Sequence, residues 1–137
     1  YVMFGPSKRF GDPIIADAKP LLRNIVETAE EVIGGGKELA ASLRFGHDVN
    51  VIPLLALLGV EGASARVSTP EEAAEVWQVH RVSPMAANVQ FIFFRNPEAG
   101  DVRVRVLHNE RDAELPVGGG PYYPWETLRD YCKSLYE

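Results

Sequence analysis

Cysteine is almost absent from this sequence: the 137 residues contain one, Cys132. A lone cysteine excludes an intrachain disulfide and a metal cluster held by several thiolates. An excess of basic residues is also absent, because 14 lysines and arginines stand against 19 aspartates and glutamates, for a formal net charge of −5. No basic field is available to attract nucleic acid or an anionic membrane, so we expect neither partner.

Long apolar runs are missing too, so we expect no membrane span, and the N-terminus has no stretch resembling a secretion signal. The chain opens at Tyr1 rather than at methionine, which indicates a mature or trimmed product. The composition, 46% hydrophobic and 24% charged, is typical of one globular domain. Without an internal repeat or a long linker, residues 1–137 are predicted to form a single α/β unit.

The first third of the chain reads as a helix followed by a strand. After a loop-like opening that includes Gly5-Pro6 and Gly11-Asp12-Pro13, apolar residues recur at helical spacing over residues 19–33. Three glycines end this predicted helix. Residues 39–45 are predicted to be a short buried strand because they form a compact apolar run with one charge.

Two further helices are predicted before the middle of the chain. Gly46 permits a turn into an apolar helix over residues 49–58, which Pro53 is expected to disturb near its start. Residues 70–77 are predicted to be helical because a hydroxyl cap, an early proline and early carboxylates agree there.

The second half changes to a period of two. Residues 88–95 and 102–107 are predicted to be strands joined by a hairpin-like connection, residues 114–117 could add a short third strand, and a closing helix is expected from Trp125. Helices first and strands later predict an α/β fold, a mixed sheet with flanking helices.

His47 and Asp48 stand side by side between the predicted strand and the next helix. This places two ionisable side chains at the carboxyl end of a strand, beside the free N–H groups of a helix start, where α/β folds bind ligands. An anion such as phosphate would suit the location, with His47 donating a hydrogen bond and Asp48 exchanging a proton. The alternative is that Asp48 is only a helix cap and His47 a turn residue.

Several stretches carry a family resemblance. Arg-Phe-Gly-His-Asp at residues 44–48, the Ile-Pro-Leu-Leu-Ala-Leu-Leu-Gly that follows at 52–59, and the later runs at 84–95 and 106–110 resemble the histidine acid phosphatases. The likeness is to the bacterial branch related to the multiple inositol polyphosphate phosphatases and phytases. It implies the C-terminal portion of the family's three-layer α/β sandwich.

The resemblance also implies a chemistry. A histidine in an Arg-His-Gly motif would attack phosphorus and form a phosphohistidine intermediate, without metal or other cofactor. His47 would bind the phosphate and Asp48 would act as the general acid that protonates the leaving alcohol, while Arg44 could bind the substrate phosphate. The expected substrate is a phosphorylated small molecule, such as an inositol phosphate or phytate. The resemblance implies a secreted or periplasmic protein.

The sequence departs from the family in one respect: no Arg-His-Gly motif occurs in these 137 residues. We therefore expect a C-terminal fragment whose partner is a missing N-terminal portion with the nucleophile, and we expect the isolated chain to be inactive. A noncatalytic binding or structural α/β domain is the alternative. A metal-dependent HD phosphohydrolase is disfavoured because that fold is all helical and this C-terminal half is rich in strands.

Overall fold

The computed structural model describes Ser7 and residues 11–137. The predicted loop at Gly5 and Pro6 lies outside these residues. Residues 11–13, also predicted as loop, are instead the start of a helix. The secondary-structure elements, in chain order, are α1 (Gly11–Ala16), α2 (Lys19–Ile33), α3 (Asp48–Leu57), α4 (Pro70–Val76), α5 (Val79–Val82), β1 (Val89–Arg95), β2 (Val102–His108), β3 (Arg111–Asp112), β4 (Tyr122–Pro124) and α6 (Trp125–Tyr136).

Helix α2 has the bounds that its periodicity predicts. Pro20 occupies the first turn, where its missing N–H costs no intrahelical bond. Leu22, Val26 and Ala29 lie one turn apart and are buried, so a single apolar stripe packs into the core. On the polar side of this stripe, Lys133 Nζ of α6 donates a 2.9 Å hydrogen bond to Glu30 Oε1, which ties the two long helices together.

Strands β1 and β2 form the predicted antiparallel hairpin, with Phe93 opposite Val104. The Asn96 side chain accepts hydrogen bonds from two backbone N–H groups of the connecting turn, which fixes the reversal. On β2, Val104 and Val106 are buried while Arg103 is exposed. One face of the hairpin therefore packs on the core and the other carries the arginines.

Two short strands complete the sheet, and neither matches the predicted third strand at residues 114–117. Strands β3 and β4 both pair antiparallel with β2. Asn109 and Glu110 adopt left-handed backbone conformations, with φ of 48° and 62°, so the chain reverses directly after β2 and pairs again at Arg111. The residues predicted as a strand instead lie beyond this short pairing.

Helix α6 is the closing helix that the sequence predicted from Trp125, and it packs against the sheet. Trp125, Leu128 and Cys132 are buried along one side of the helix. The Trp125 ring meets Phe93 of β1 edge-on, with ring centroids 5.3 Å apart. Helix α3 adds Leu54 and other apolar side chains to the same core.

The α/β class is confirmed: a small antiparallel sheet is flanked by helices. Every strand pair of the sheet is antiparallel, and the described residues add a parallel bridge between Ser7 and Val67. No helix within the described part of the chain combines the length and the apolar character needed to cross a bilayer.

Residues 39–45 differ from the prediction of a buried strand. They form no regular secondary structure and all of them are exposed. A strand is defined by hydrogen bonds to a neighbour, and no described strand lies alongside this segment to supply them. The apolar run is therefore present without the pairing and the cover that would bury it.

Candidate active site

Helix α3 carries the candidate site at its N-terminal end. The helix continues through Pro53, which is fully buried. At its C-terminal end the Gly59 N–H donates to the Ala56 carbonyl and the Val60 N–H donates to the Leu55 carbonyl, a Schellman arrangement. Gly59 permits this end because its φ is +68°.

His47 occupies the N-cap position of α3, with extended backbone angles φ −103° and ψ 173°. Its side chain makes no capping hydrogen bond and is exposed. Asp48 is the first helical residue, and its Oδ1 accepts a 2.9 Å hydrogen bond from the Val49 N–H. Asp48 is therefore not the N-cap, and the pair is exposed to solvent at the start of the helix. The strand that the sequence predicted before the pair is absent.

The hydrogen bond from Val49 fixes one oxygen of the Asp48 carboxyl group and leaves the other directed away from that contact. Because one carboxyl oxygen is already held, the second oxygen could reach a leaving group with little further loss of side-chain freedom. The positive end of the helix dipole lies at the same place, so an anion beside His47 would be stabilised by the helix as well as by the imidazole.

Arg44 is held by the polar face of α2. Its Nε and Nη2 donate to Asn24 Oδ1 at 3.2 Å and 2.8 Å, Nη2 also donates to Thr28 Oγ1 at 3.1 Å, and Nη1 donates to Ser42 Oγ at 2.9 Å. Most of its N–H donors are therefore engaged. To clamp a phosphate beside His47, Arg44 would have to exchange some of these bonds, so its role in substrate binding stays a prediction.

Asn24 and Thr28 are hydrogen-bond partners of Arg44 that sequence reasoning missed. They stand one helical turn apart on α2 and together position Arg44. Asn24 also lines an open groove of about 270 Å³ on α2, together with the cations Lys19 and Arg23. The spacing of the two polar residues was visible in the sequence, but nothing there indicated that Arg44 would be their partner.

The other histidines take different positions. His108 lies at the end of β2, where its Nε2 lies 2.6 Å from the Val82 carbonyl oxygen and ties the sheet to α5. His80 is exposed on α5. In the residues that the structure describes, no group of three or more potential metal ligands comes together.

The fold agrees with the comparison to known proteins. The chain belongs to the histidine phosphatase superfamily (branch 2), whose sequence profile matches residues 7–109. It is similar to multiple inositol polyphosphate phosphatase 1 of Dictyostelium discoideum, with 28% identity over 102 residues. That match covers 71% of this chain but only 16% of the relative. His47 and Asp48 both lie within the range of the family profile.

Proposed function

We propose that this chain supplies the leaving-group half of a phosphomonoester hydrolase site. His47 binds the phosphate and Asp48 is the general acid. The observation that carries the proposal is the placement of both side chains, exposed and adjacent, at the start of α3 in a chain of the histidine phosphatase superfamily. Asp48 is also free for this task because the N-cap position belongs to His47.

The proposed reaction has two steps. A histidine nitrogen attacks phosphorus, the bond between phosphorus and the ester oxygen breaks, and Asp48 gives its proton to the departing alcohol oxygen. The Asp48 carboxylate then takes a proton from water, the water oxygen attacks phosphorus, and the phosphohistidine bond breaks to release phosphate. Dividing the displacement in this way needs a nucleophile on one side of the phosphate and an acid on the other.

The nucleophile of this scheme comes from outside the 137 residues. Their three histidines are His47, His80 and His108, and none stands in an Arg-His-Gly motif. We therefore propose a portion N-terminal to Tyr1 that carries the nucleophile and the main arginine clamp. The 137 residues alone would hold the phosphate weakly and hydrolyse no ester at a useful rate.

Inositol phosphates are the proposed substrate class, by analogy with the relative named for them. A polyphosphorylated ring carries several dianions, and a groove that shares Asn24 with Arg44 is lined by two cations, Lys19 and Arg23, and one carboxylate, Glu27. These cations would attract such a substrate more strongly than a simple phosphomonoester. A secreted or periplasmic location belongs to the same proposal, and cell fractionation would test it.

The deciding experiment compares two forms of the protein. The long form contains the segment encoded upstream of Tyr1, and the short form is the 137-residue chain. We expect an Arg-His-Gly motif in the upstream segment, and release of phosphate from phytate and p-nitrophenyl phosphate by the long form only. Robust turnover by the short form, or an upstream segment without the motif, would refute the proposal.

A noncatalytic binding module is the alternative function. One observation favours this alternative: His47 and Asp48 are open to solvent. The hydrogen bond to the Asp48 side chain comes from Val49 of the same helix. Titration of the short form with inorganic phosphate and inositol hexakisphosphate, followed by the NMR signals of His47, separates the two. Tight, saturable binding together with a hydrolytically inert long form would favour the module.

A further inference from the structure

The chain that leads into α3 is tied to α2 through the side chain of Arg44. All residues from 37 to 46 are exposed, and none of their backbone groups bonds to another described backbone group. Arg44 makes three hydrogen bonds to Asn24 and Thr28 of α2. An ion pair between Lys37 and Glu31, 4.0 Å long, lies at the far end of the stretch. Near α3, the position of the chain relative to α2 therefore depends on Arg44.

The part of α2 that holds Arg44 belongs to the packed body of the fold. Leu22 and Val26 of the same helix are 0% and 2% exposed. Two residues beyond Thr28, Glu30 accepts a hydrogen bond from Lys133 of α6. A helix packed in this way shifts little when a side chain bonds to it, because protein interiors are dense and resist compression. Arg44 is consequently held by an element with little freedom to move.

The hydrogen bonds of Arg44 favour a structural use of its guanidinium group over direct binding of phosphate. Asn24 Oδ1 accepts from Nε and Nη2, Thr28 Oγ1 accepts from Nη2, and Ser42 Oγ accepts from Nη1. A guanidinium has five N–H donors, so at most one remains for another acceptor. An arginine that clamps a phosphate normally uses two parallel N–H groups.

The connection from Arg44 to the candidate site is short. Two residues separate Arg44 from His47, so the two Cα atoms are at most about 11 Å apart. The chain also lies close against the first turn of α3: the Asn50 N–H donates to the His47 carbonyl at 2.9 Å, and a Cβ on Gly46 would lie 3.0 Å from Asn50 Nδ2. Fixing Arg44 therefore restricts the position of His47 and of the helix start after it.

We infer that Arg44 is a positioning residue of the candidate site. Held by Asn24 and Thr28, it fixes the chain that enters α3, and this sets where His47 and Asp48 stand relative to a bound phosphate. Arg44 thus acts through these two residues instead of contacting the substrate. The catalytic consequence rests on the proposed function, whereas the positioning itself is measured without turnover.

Two substitutions of Asn24 separate positioning from phosphate binding. The acceptors of Arg44 are a neutral amide and two neutral hydroxyls, so they do not compensate its charge. Asn24→Asp keeps an oxygen acceptor and adds a compensating charge, whereas Asn24→Leu removes the acceptor and keeps a similar size. An Arg44 that positions the chain tolerates Asn24→Asp and loses its function in Asn24→Leu. An Arg44 that binds phosphate is weakened by the added carboxylate.

Backbone ¹⁵N relaxation of the short form measures the positioning directly. We expect order parameters of about 0.85 for Gly46 and His47 in the parent and in Asn24→Asp, and a fall below about 0.6 in Asn24→Leu. Signals from the core should stay in place in all forms, which shows that the fold is kept. Unchanged order parameters in Asn24→Leu, or low values already in the parent, would overturn the inference.

Ser134→Leu is the matched control for this measurement. Ser134 is an exposed residue of α6, and its hydroxyl donates to the Tyr131 carbonyl of the same helix. The substitution therefore changes a neutral polar residue to leucine on a helix surface without touching Arg44. We expect the order parameters of Gly46 and His47 to equal those of the parent, and an equal fall in this variant would contradict the specific role of Asn24.

Steady-state kinetics of the long form tests the catalytic consequence. With an alkyl phosphate as substrate, we expect Asn24→Leu to lower kcat by about 10-fold or more and Asn24→Asp to stay within about 3-fold of the parent. Arg44→Lys should lose as much as Asn24→Leu, because one ammonium group cannot reproduce the fork that spans Asn24 and Thr28. A raised KM in Asn24→Asp together with retained activity in Arg44→Lys would show direct phosphate binding and overturn the inference.

A double-mutant cycle completes the test. In the Asn24→Leu background, Arg44→Lys should lower kcat by less than about 2-fold, because both substitutions break the same contact. Additive losses would show that Arg44 acts elsewhere and would overturn the inference. Low order parameters in the Asn24→Leu short form beside an inert parent long form would support the positioning while the proposed function fails. Unchanged order parameters beside an active long form would overturn the positioning alone.

Discussion

The phenol oxygen of Tyr131 donates a 3.0 Å hydrogen bond to the carbonyl of Leu58, across 73 residues of chain. Leu58 is the C-cap of α3, so this bond satisfies a helix-terminal carbonyl from α6. The C-terminal end of α3 is thereby fixed to the last helix, while its N-terminal end presents His47 and Asp48.

Removing this hydrogen bond should lower stability without disturbing the site. Tyr131→Phe leaves the Leu58 carbonyl without that donor, and we expect the free energy of unfolding to fall by about 1 kcal/mol. Urea denaturation followed by circular dichroism measures the change. Tyr122→Phe is the control, because that ring is exposed on the outer side of the sheet. An equal loss in both variants would mean that the bond to Leu58 contributes nothing specific.

Gly59→Ala should destabilise the turn after α3 for two reasons. The residue has a φ of +68°, and a Cβ would lie 2.9 Å from Pro116 Cγ. We expect a loss of about 1–3 kcal/mol. Gly62→Ala separates the two causes because Gly62 has a similar φ of +78° but no atom within 4 Å of a Cβ. Thermal unfolding of both variants should show the larger loss at Gly59, and the reverse order would contradict the clash.

The Cys132 thiol should be unreactive in the folded protein. Burial raises its pKa to about 12, so almost no thiolate exists at neutral pH. We expect iodoacetamide to label Cys132 only after unfolding, with the labelled fraction, followed by mass spectrometry, tracking the urea transition. Rapid labelling in buffer at pH 8 would show that the side chain is accessible in the native state.

Two carboxyl groups should make stability depend on pH. The pKa of Glu114 is raised by a hydrogen bond to the Glu61 side chain and by the repulsion between their charges. The folded state therefore holds this proton more tightly than the unfolded state does. The contribution to stability is present below the ordinary carboxyl pKa and is lost as the pH rises through the raised value.

Glu114→Gln tests this carboxyl pair because the amide keeps a hydrogen-bond donor at every pH. Between about pH 4 and pH 7, we expect the free energy of unfolding to fall less in the variant than in the parent. Glu98→Gln, in the exposed hairpin turn, controls for the change in net charge. Identical pH profiles for Glu114→Gln and the parent would show that the two carboxyl groups do not share a proton.

The acid role of Asp48 should depend on the leaving group. In the long form, Asp48→Asn should slow hydrolysis of an alkyl phosphate by roughly 100-fold or more, because the alkoxide needs a proton as it departs. A nitrophenyl leaving group is stable as an anion and should be affected much less. Steady-state kinetics with both substrates gives the comparison, and equal losses would count against Asp48 as the acid.

The elements that the sequence predicted best depend on local signals. The bounds of α2 and the buried side of α6 follow from the spacing of apolar residues, and the hairpin of β1 and β2 follows from alternation around a turn. The start of α3 after Gly46 followed from the same kind of pattern. The interactions that stabilise these elements form between residues that are near one another in the sequence.

The elements that it missed depend on distant partners. Strand β4 follows Pro121 and ends at Pro124, and it exists because its three residues pair with β2. Residues 39–45 have the composition of a buried strand, but burial requires a neighbour, which composition cannot supply. The contact between Arg44 and Asn24 joins residues 20 positions apart, and no spacing rule connects a loop to the polar face of a helix.

Pro53 has a mechanical consequence for the candidate site. Proline carries no N–H, so the Val49 carbonyl in the first turn of α3 receives no helical hydrogen bond from residue 53. The turn that follows His47 and Asp48 is therefore joined to the buried body of the helix by one bond fewer than a regular turn. Leu54 and Leu55, directly after the proline, are buried in the core. The helix thus combines a buried body with a more weakly bonded first turn, and the two ionisable residues lie at that turn.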